Sequence, residues 1–263
     1  MDNKIEKSLV KKYKREIYSK FINAIKDYEL IDEGDRIAIC ISGGKDSYLL
    51  AECMKVFQKH SKYKYELEFI LMNPGYSKKD LIQIKDACEK LNIPLNIYNN
   101  FVFKIFDFKI KKSPCFLCSK IRRGYLYNKA KQLGCNKIAL GHHFNDVIET
   151  VLMNMFYNGI YSGMLPKIKS DNFKDMQLIR PLYLIKEEDI ISWAKYNDIN
   201  YINCVCEMLK EKDIGKRKEV KQLISKLKEE NKNIDINIFR SLENVNVNTV
   251  NGIIKDNKKN KRM

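Results

Sequence analysis

No part of the chain constrains its fold more than Ser42-Gly43-Gly44-Lys45-Asp46-Ser47. It follows the apolar run Arg36-Ile37-Ala38-Ile39-Cys40-Ile41 and precedes Tyr48-Leu49-Leu50-Ala51-Glu52-Cys53-Met54, so a buried strand turns through glycines into a helix. Adjacent glycines allow positive φ and close backbone approach, and the amides that open a helix have no intrahelical partner. Such a turn binds an anion. Lys45 adds a mobile positive charge, while Ser42 and Ser47 bring hydroxyls that can donate to phosphate oxygens or, for Ser47, cap the helix. The loop therefore reads as a phosphate site.

The glycine spacing is too short for the Walker pattern G-x-x-x-x-G-K-[ST]. The stretch instead resembles the SGG-x-DS signature of the PP-loop ATP pyrophosphatases, which split ATP between its α and β phosphates. The resemblance implies that Ser42, Gly43, Gly44, Lys45, Asp46 and Ser47 hold the leaving pyrophosphate while a substrate oxygen is adenylated.

Downstream, Leu67-Glu68-Phe69-Ile70-Leu71-Met72, Leu95-Asn96-Ile97-Tyr98 and Lys137-Ile138-Ala139-Leu140-Gly141 read as strands, separated by helices over 78–91 and 119–133. The alternation predicts an α/β fold, a parallel sheet with helices on both faces. The loops after Ile41, Met72 and Leu140 then converge on one pocket at the carboxyl ends of the strands. The loop after Leu140, Gly141-His142-His143-Phe144-Asn145-Asp146, adds two imidazoles for phosphate contact or proton transfer and a carboxylate, Asp146, suited to Mg²⁺ on ATP phosphates.

Before the sheet, residues 4–31 place Leu9, Tyr13, Ile17, Phe21, Ile25 and Tyr28 at mostly four-residue steps with lysines between them, a basic amphipathic helix. The composition has 49 Lys and Arg against 33 Asp and Glu, a formal charge of +16, which suits either a polyanion partner or a solubilising surface. No apolar run reaches the length of a membrane span and the first residues lack a signal segment, so a cytoplasmic protein is expected. The domain reading is an N-terminal helix at 1–33, a catalytic domain at 34–207, a helical extension at 208–255 containing a lysine-rich helical segment, and a disordered tail at 256–263.

Eight cysteines are too few for a disulfide scaffold in a chain of this size. Cys115 and Cys118 form a C-x-x-C pair at a helix start; Cys204 and Cys206 form a later pair. On residue pattern alone the first pair fits a redox dithiol, a zinc site completed by the second pair, or a cluster. Cys40, Cys53, Cys88 and Cys135 fall on strand or helix positions and read as core.

Several motifs in one order resemble the tRNA-cytidine 2-sulfurtransferases of the TtcA type. They are Glu33-Gly34-Asp35-Arg36-Ile37, the phosphate loop, Cys115-x-x-Cys118-Ser119-x-x-Arg122-Arg123-Gly124, Leu140-Gly141-His142-His143, Asn154-Met155-Phe156-Tyr157 and Ile179-Arg180-Pro181-Leu182. The resemblance implies a homodimeric enzyme that uses ATP, Mg²⁺ and a [4Fe-4S] cluster to replace the 2-oxo group of a tRNA cytidine with sulfur. A cysteine desulfurase or free sulfide would be the donor. It carries cluster ligation to Cys115, Cys118 and Cys206, with Cys204 the alternate, because the later C-x-x-C of the family is shortened here to Cys204-Val205-Cys206. Catalytic roles carry over to Lys45, Asp46, Cys115, Cys118 and Asp146, and nucleotide contact to Gly141 and His142; Arg122 and Arg123, beside the cysteine motif, suit either tRNA phosphate contact or a solvated helix face. Asn145 departs from the family, which usually has an acid there. Two related readings share the fold: a 2-thiouridine-forming enzyme, and a tRNA lysidine synthetase-like ligase that would leave the cysteines without a role.

Overall fold

The structure is a computed structural model describing residues 2–73, 75–99, 114–202, 213–255 and 258–261. Strands β1 (Arg36–Cys40), β2 (Glu66–Asn73), β3 (Leu95–Asn99), β4 (Lys137–Ala139), β5 (Lys167–Lys169) and β6 (Gln177–Ile179) form one sheet among the described residues, in the order β3-β2-β1-β4-β6-β5. All pairings are parallel except β5 with β6. The expected parallel sheet is present, with one antiparallel edge where 167–169 and 177–179 are joined by a connection short enough for a hairpin. The first connections run from β1 outward through β2 to β3. The chain then returns to β4 on the other side of β1, which makes the carboxyl ends of β1 and β4 the switch point.

The run Ile37-Ala38-Ile39 is apolar at every position because the sheet is covered on both faces. Ile37, Ile39, Phe69, Leu71, Ala139 and Ile179 point into one core, shared with helices α3 (Lys45–His60), α4 (Lys78–Lys90) and α7 (Glu187–Tyr196) and with the N-terminal segment. Ala38, Ile70, Ile138 and Leu178 point into the other, against Tyr127 and Ala130 of α5 (Pro114–Gln132). Pro114 takes the first helical position, where its missing N–H costs nothing, so this helix begins five residues earlier than the sequence reading places it.

The N-terminal segment is more than a plain α-helix. It runs as α1 (Asp2–Lys7), two π-helical stretches (Ser8–Lys12 and Lys14–Tyr18) and α2 (Ser19–Asp27). Leu9, Tyr13, Ile17, Phe21 and Ile25 recur every four residues and all are buried. In a pure α-helix four residues overshoot a full turn by about 40°, so such a stripe would wind away from the core. The wider π winding counters that drift and keeps it in register with the domain. Lys11, Lys12, Lys14 and Arg15 between these positions are exposed.

At the amino end of the sheet, Lys137 opens β4 and is almost fully buried. Its ammonium lies 2.6 Å from Asp35 Oδ2 and 2.7 Å from Asp32 Oδ2, and donates to Leu30 O at 3.1 Å. Asp35, also buried, accepts from the Asp32 amide and from Asn136 Nδ2, both at 2.7 Å. This pair fixes the Asp32-Glu33-Gly34-Asp35 turn, with Gly34 at φ +81°, and joins the N-terminal segment to the sheet.

After the sheet, α6 (Phe144–Asn158), α8 (Asp213–Glu230) and α9 (Ile234–Ser241) close a third cluster around Phe144, Val147, Ile148, Val220, Ile224 and Phe239. Gly252–Lys255 and Lys258–Lys261 pair as an antiparallel hairpin, β7 and β8. Among the described residues no helix is long and apolar enough to cross a membrane.

Candidate nucleotide site

The glycine turn lies at the carboxyl end of β1, with Gly44 extended at the N-cap of α3. Gly43 has φ +80°, and a Cβ there would stand 2.7 Å from Ile202 and 2.9 Å from Ile84. Only glycine fits this position. Ser47 donates to Gly44 O at 2.8 Å and accepts from the Ser42 amide at 3.2 Å, and Tyr76 donates to Ser42 O at 2.9 Å. These bonds occupy carbonyls of the turn and hold its shape; the Ser47 and Tyr48 amides already donate to Gly44 O at 3.1 and 3.3 Å, so the helix start offers the Lys45 and Asp46 amides to an anion. The buried Ser47 hydroxyl serves the loop itself.

Lys45 reaches Asp46 Oδ1 at 3.2 Å and Glu187 Oε1 at 3.1 Å. Burial acts to lower its pKa, but the two carboxylates outweigh that and hold it above the ordinary lysine value. Glu187 also pairs with Lys221 of α8. Burial acts to raise the Glu187 pKa, and Lys221 and Lys45 together bring it down to about 2. The Glu187 amide donates to Asn145 Oδ1 at 2.9 Å, so the residue that departs from the family is used to seat α7.

The exit of β4 touches the same helix start. A Cβ on Gly141 would lie 3.1 Å from the Asp46 carbonyl and 3.2 Å from the Ser47 amide, so a glycine lets the two turns meet. His143, buried, has Nε2 3.8 Å from Asp46 Oδ1 and 3.6 Å from Asp146 Oδ2, and its amide donates to Asp146 Oδ2 at 3.0 Å. Asp146 Oδ1 faces Arg217 Nη2 at 3.2 Å, and Arg217 Nε donates to Glu149 Oε2 at 2.8 Å. Burial pushes the Asp146 carboxyl up, yet His143, Arg217 and His142 hold it below the usual range. For Glu149 burial wins and the pKa is raised despite Arg217.

His142 has a fixed tautomer. Arg180 Nε donates to its Nδ1 at 3.3 Å; a guanidinium cannot accept, so the imidazole proton resides on Nε2. Burial, then Arg180, Arg217 and His143, lower its pKa from 6.5 to about 4 against the pull of Asp146. The unfolded chain takes up this proton near 6.5 and the folded chain only near 4. The neutral ring therefore contributes stability above the higher value that is lost as pH falls toward the lower. A ¹⁵N NMR titration should show His142 neutral and Nε2-protonated down to about pH 5. A midpoint above about 6 would contradict the assignment.

Of the sequence-read residues, Ser42, Gly43, Gly44, Lys45, Asp46, Ser47, Gly141, His142 and Asp146 meet at this switch point. Glu187, Arg217 and Lys221 were not read from sequence. Arg217 and Lys221 sit four residues apart in a helix crowded with lysines, and the acids that open α7 look like ordinary helix-start residues. Cys115 and Cys118 occupy the first turn of α5, three residues apart and so on one side of it, but their side chains lie outside the described residues. Cys204 and Cys206 also lie outside them. Ile202, two residues before Cys204, donates its amide to Gly43 O at 2.9 Å.

Comparison with known proteins gives this geometry a family. The PP-loop domain family ATP_bind_3 matches residues 11–205. A protein of Coxiella burnetii named tRNA-cytidine(32) 2-sulfurtransferase is 36% identical over 247 residues, covering 93% of this chain and 92% of that protein. The chain belongs to the tRNA-cytidine 2-sulfurtransferase family. Another family member of the same name, from Geobacter metallireducens, is 35% identical over 84% of this chain and 86% of its own length. Among solved structures, the U34-tRNA thiolase NcsA from Methanococcus maripaludis, with its [4Fe-4S] cluster, superposes with a TM-score of 0.70 over 86% of this chain and 76% of its own. At 23% identity that likeness concerns the fold. The family assignment thus agrees with the order of motifs, and the strand order places the phosphate turn where a PP-loop fold needs it.

Proposed function

We propose that the chain is an ATP-dependent tRNA sulfurtransferase that adenylates the 2-oxo group of a tRNA cytidine and replaces that oxygen with sulfur. The observation that carries the reading is the phosphate turn at the switch point, held in shape in part by the Ile202 amide, which donates a hydrogen bond to Gly43 O at 2.9 Å. Family membership supplies the remaining support.

A cytosine 2-oxo group is a poor leaving group, and attack on the α-phosphate converts it to AMP. Gly43 and Gly44 let the backbone approach the departing pyrophosphate, and the amides opening α3 together with Lys45 stabilise its charge. Lys45 is already aimed by Glu187. His142, neutral with its proton on Nε2, donates a hydrogen bond and transfers no proton near neutral pH. Asp46, with a buried Oδ1 that makes no hydrogen bond, and Asp146 are the carboxylates that would hold Mg²⁺ on the phosphates. Cys115, Cys118 and Cys206 would hold a [4Fe-4S] cluster, three thiolates being a donor set that leaves one iron open to sulfide. A cysteine desulfurase or free sulfide supplies the sulfur, and the enzyme works as a homodimer in the cytoplasm.

Mass spectrometry of tRNA nucleosides from a deletion strain tests this reading. Loss of 2-thiocytidine is expected. Loss of a 2-thiouridine would instead transfer the assignment to uridine, and an unchanged profile would refute thiolation.

A further inference from the structure

Residues 159–166 leave α6 and return to β5 along the carboxyl edge of the sheet, and four contacts hold their backbone down. Asn154 Nδ2 donates to Ser162 O at 2.9 Å, Tyr183 Oη donates to Met164 O at 2.7 Å, Arg180 Nη1 donates to Leu165 O, and Gly163 lies against Leu242 so closely that a Cβ would stand 2.6 Å from it. A loop tied this firmly nonetheless turns its large apolar side chains outward. Ile160 and Tyr161 are each 42% exposed and Leu165 62%, and Phe156 at the end of α6 is 54% exposed. Contiguous apolar surface of this kind marks a place that something covers.

Two features say what covers it. Cations lie beside it: Lys216 Nζ sits 4.9 Å from the Tyr157 ring centroid, the exposed Arg123 of α5 acts on Arg180, and Lys169 is exposed on the strand that follows the loop. Interfaces between protein copies are depleted of lysine at their centres, whereas aromatic side chains among cations form a platform for unpaired nucleobases. Arg180 then connects the ledge to the pocket, because the side chain that holds Leu165 O also donates to His142. Arg180 is only 7% exposed, and the Asp146 carboxylate acts on its charge without forming a direct ion pair. Burial, and after it the charge of Arg123, lower the Arg180 pKa to about 10 against the pull of Tyr183, Tyr127 and Asp146.

We infer that this ledge seats the single-stranded RNA loop that carries the target nucleotide. Bases stack on Tyr161 and Leu165, and the backbone phosphate lies toward Arg123 and Arg180. The inference rests on the RNA-thiolation reading and adds to it the surface that presents the base.

The test is fluorescence anisotropy with a short RNA hairpin bearing an unpaired pyrimidine-containing loop, and with a fully paired duplex of the same stem as control, neither needing ATP or turnover. Tyr161→Ala combined with Leu165→Ala should weaken hairpin binding by about tenfold and leave the duplex unaffected, while Tyr161→Phe should bind as the parent does. Arg123→Gln should reduce the slope of log affinity against log salt by about one. Unchanged hairpin affinity in the double variant would overturn the inference. So would an equal loss for hairpin and duplex, or a change of sedimenting mass, which would assign the ledge to a second copy of the chain. If thiolation itself were the wrong reading, the nucleoside profile would fail while these affinity losses remained.

Discussion

Replacing Cys115 or Cys118 by alanine should remove the iron and all sulfur transfer while leaving the fold intact. Protein reconstituted without oxygen is expected to bind about four irons per chain, and either variant well under one. The effect is expected to be large because the proposed ligand set has only three thiolates, so losing one leaves two irons without a protein ligand. Cys40, Cys53, Cys88 and Cys135 are committed to the core or its edge, and burial raises the thiol pKa of each, which disfavours the thiolate that iron requires. The same measurement separates the later pair: Cys206→Ala should lose the iron and Cys204→Ala retain it. Full iron retention in Cys115→Ala or Cys118→Ala would refute the ligand assignment.

Lys137→Met should lower the unfolding free energy by about 3–5 kcal/mol, read as a shift in urea midpoint at unchanged slope. The substitution leaves Asp35 buried and charged, with only the Asp32 amide and Asn136 to satisfy it. Adding Asp35→Asn removes the stranded charge and should recover part of the loss. A single-variant loss under about 1 kcal/mol would mean that the pair behaves like a solvent-screened surface bridge.

How far the sequence discloses this molecule depends on whether a signal is local. The runs around β1, β2 and β4 are legible because Ile37-Ala38-Ile39, Phe69-Ile70-Leu71-Met72 and Ile138-Ala139-Leu140 are unbroken apolar stretches, as strands covered on both faces require, and the glycine turn is legible because its backbone demands fall on adjacent residues. Strands β5 and β6 have three residues each, too few for a period. The four-residue stripe from Leu9 to Ile25 reveals a helix, but its π winding follows from packing against the domain, which supplies the reason to hold the stripe straight. Lys137 looks like a polar strand end until Asp32 and Asp35 are placed around it. Arg217, Lys221 and Glu187 are invisible for the same reason: each is one charge among many until tertiary contact selects it.

The C-terminal residues show a further limit. The chain after residue 231 is rich in asparagine and lysine, yet Phe239 reaches a shared cluster with Phe144 and Tyr183, their rings 5.0 and 5.3 Å from its own. Ile234, Ile238 and Leu242 pack beside it, and Asp235 pairs with Lys186 and Lys228, contacts that a short Asn- and Lys-rich stretch does not announce.

The central claim is that the phosphate turn and the cysteine set serve one reaction on one RNA base. Its most direct measurement is turnover under anaerobic conditions by the iron-loaded protein with unmodified tRNA, sulfide and ATP cleavable at the α–β bond. The account predicts 2-thiocytidine in the tRNA with one AMP and one pyrophosphate released per sulfur inserted, and none of the three when ATP is omitted. Sulfur insertion that proceeds without ATP, or ATP cleavage to AMP by fully loaded protein with no thiolated nucleoside formed, would contradict it.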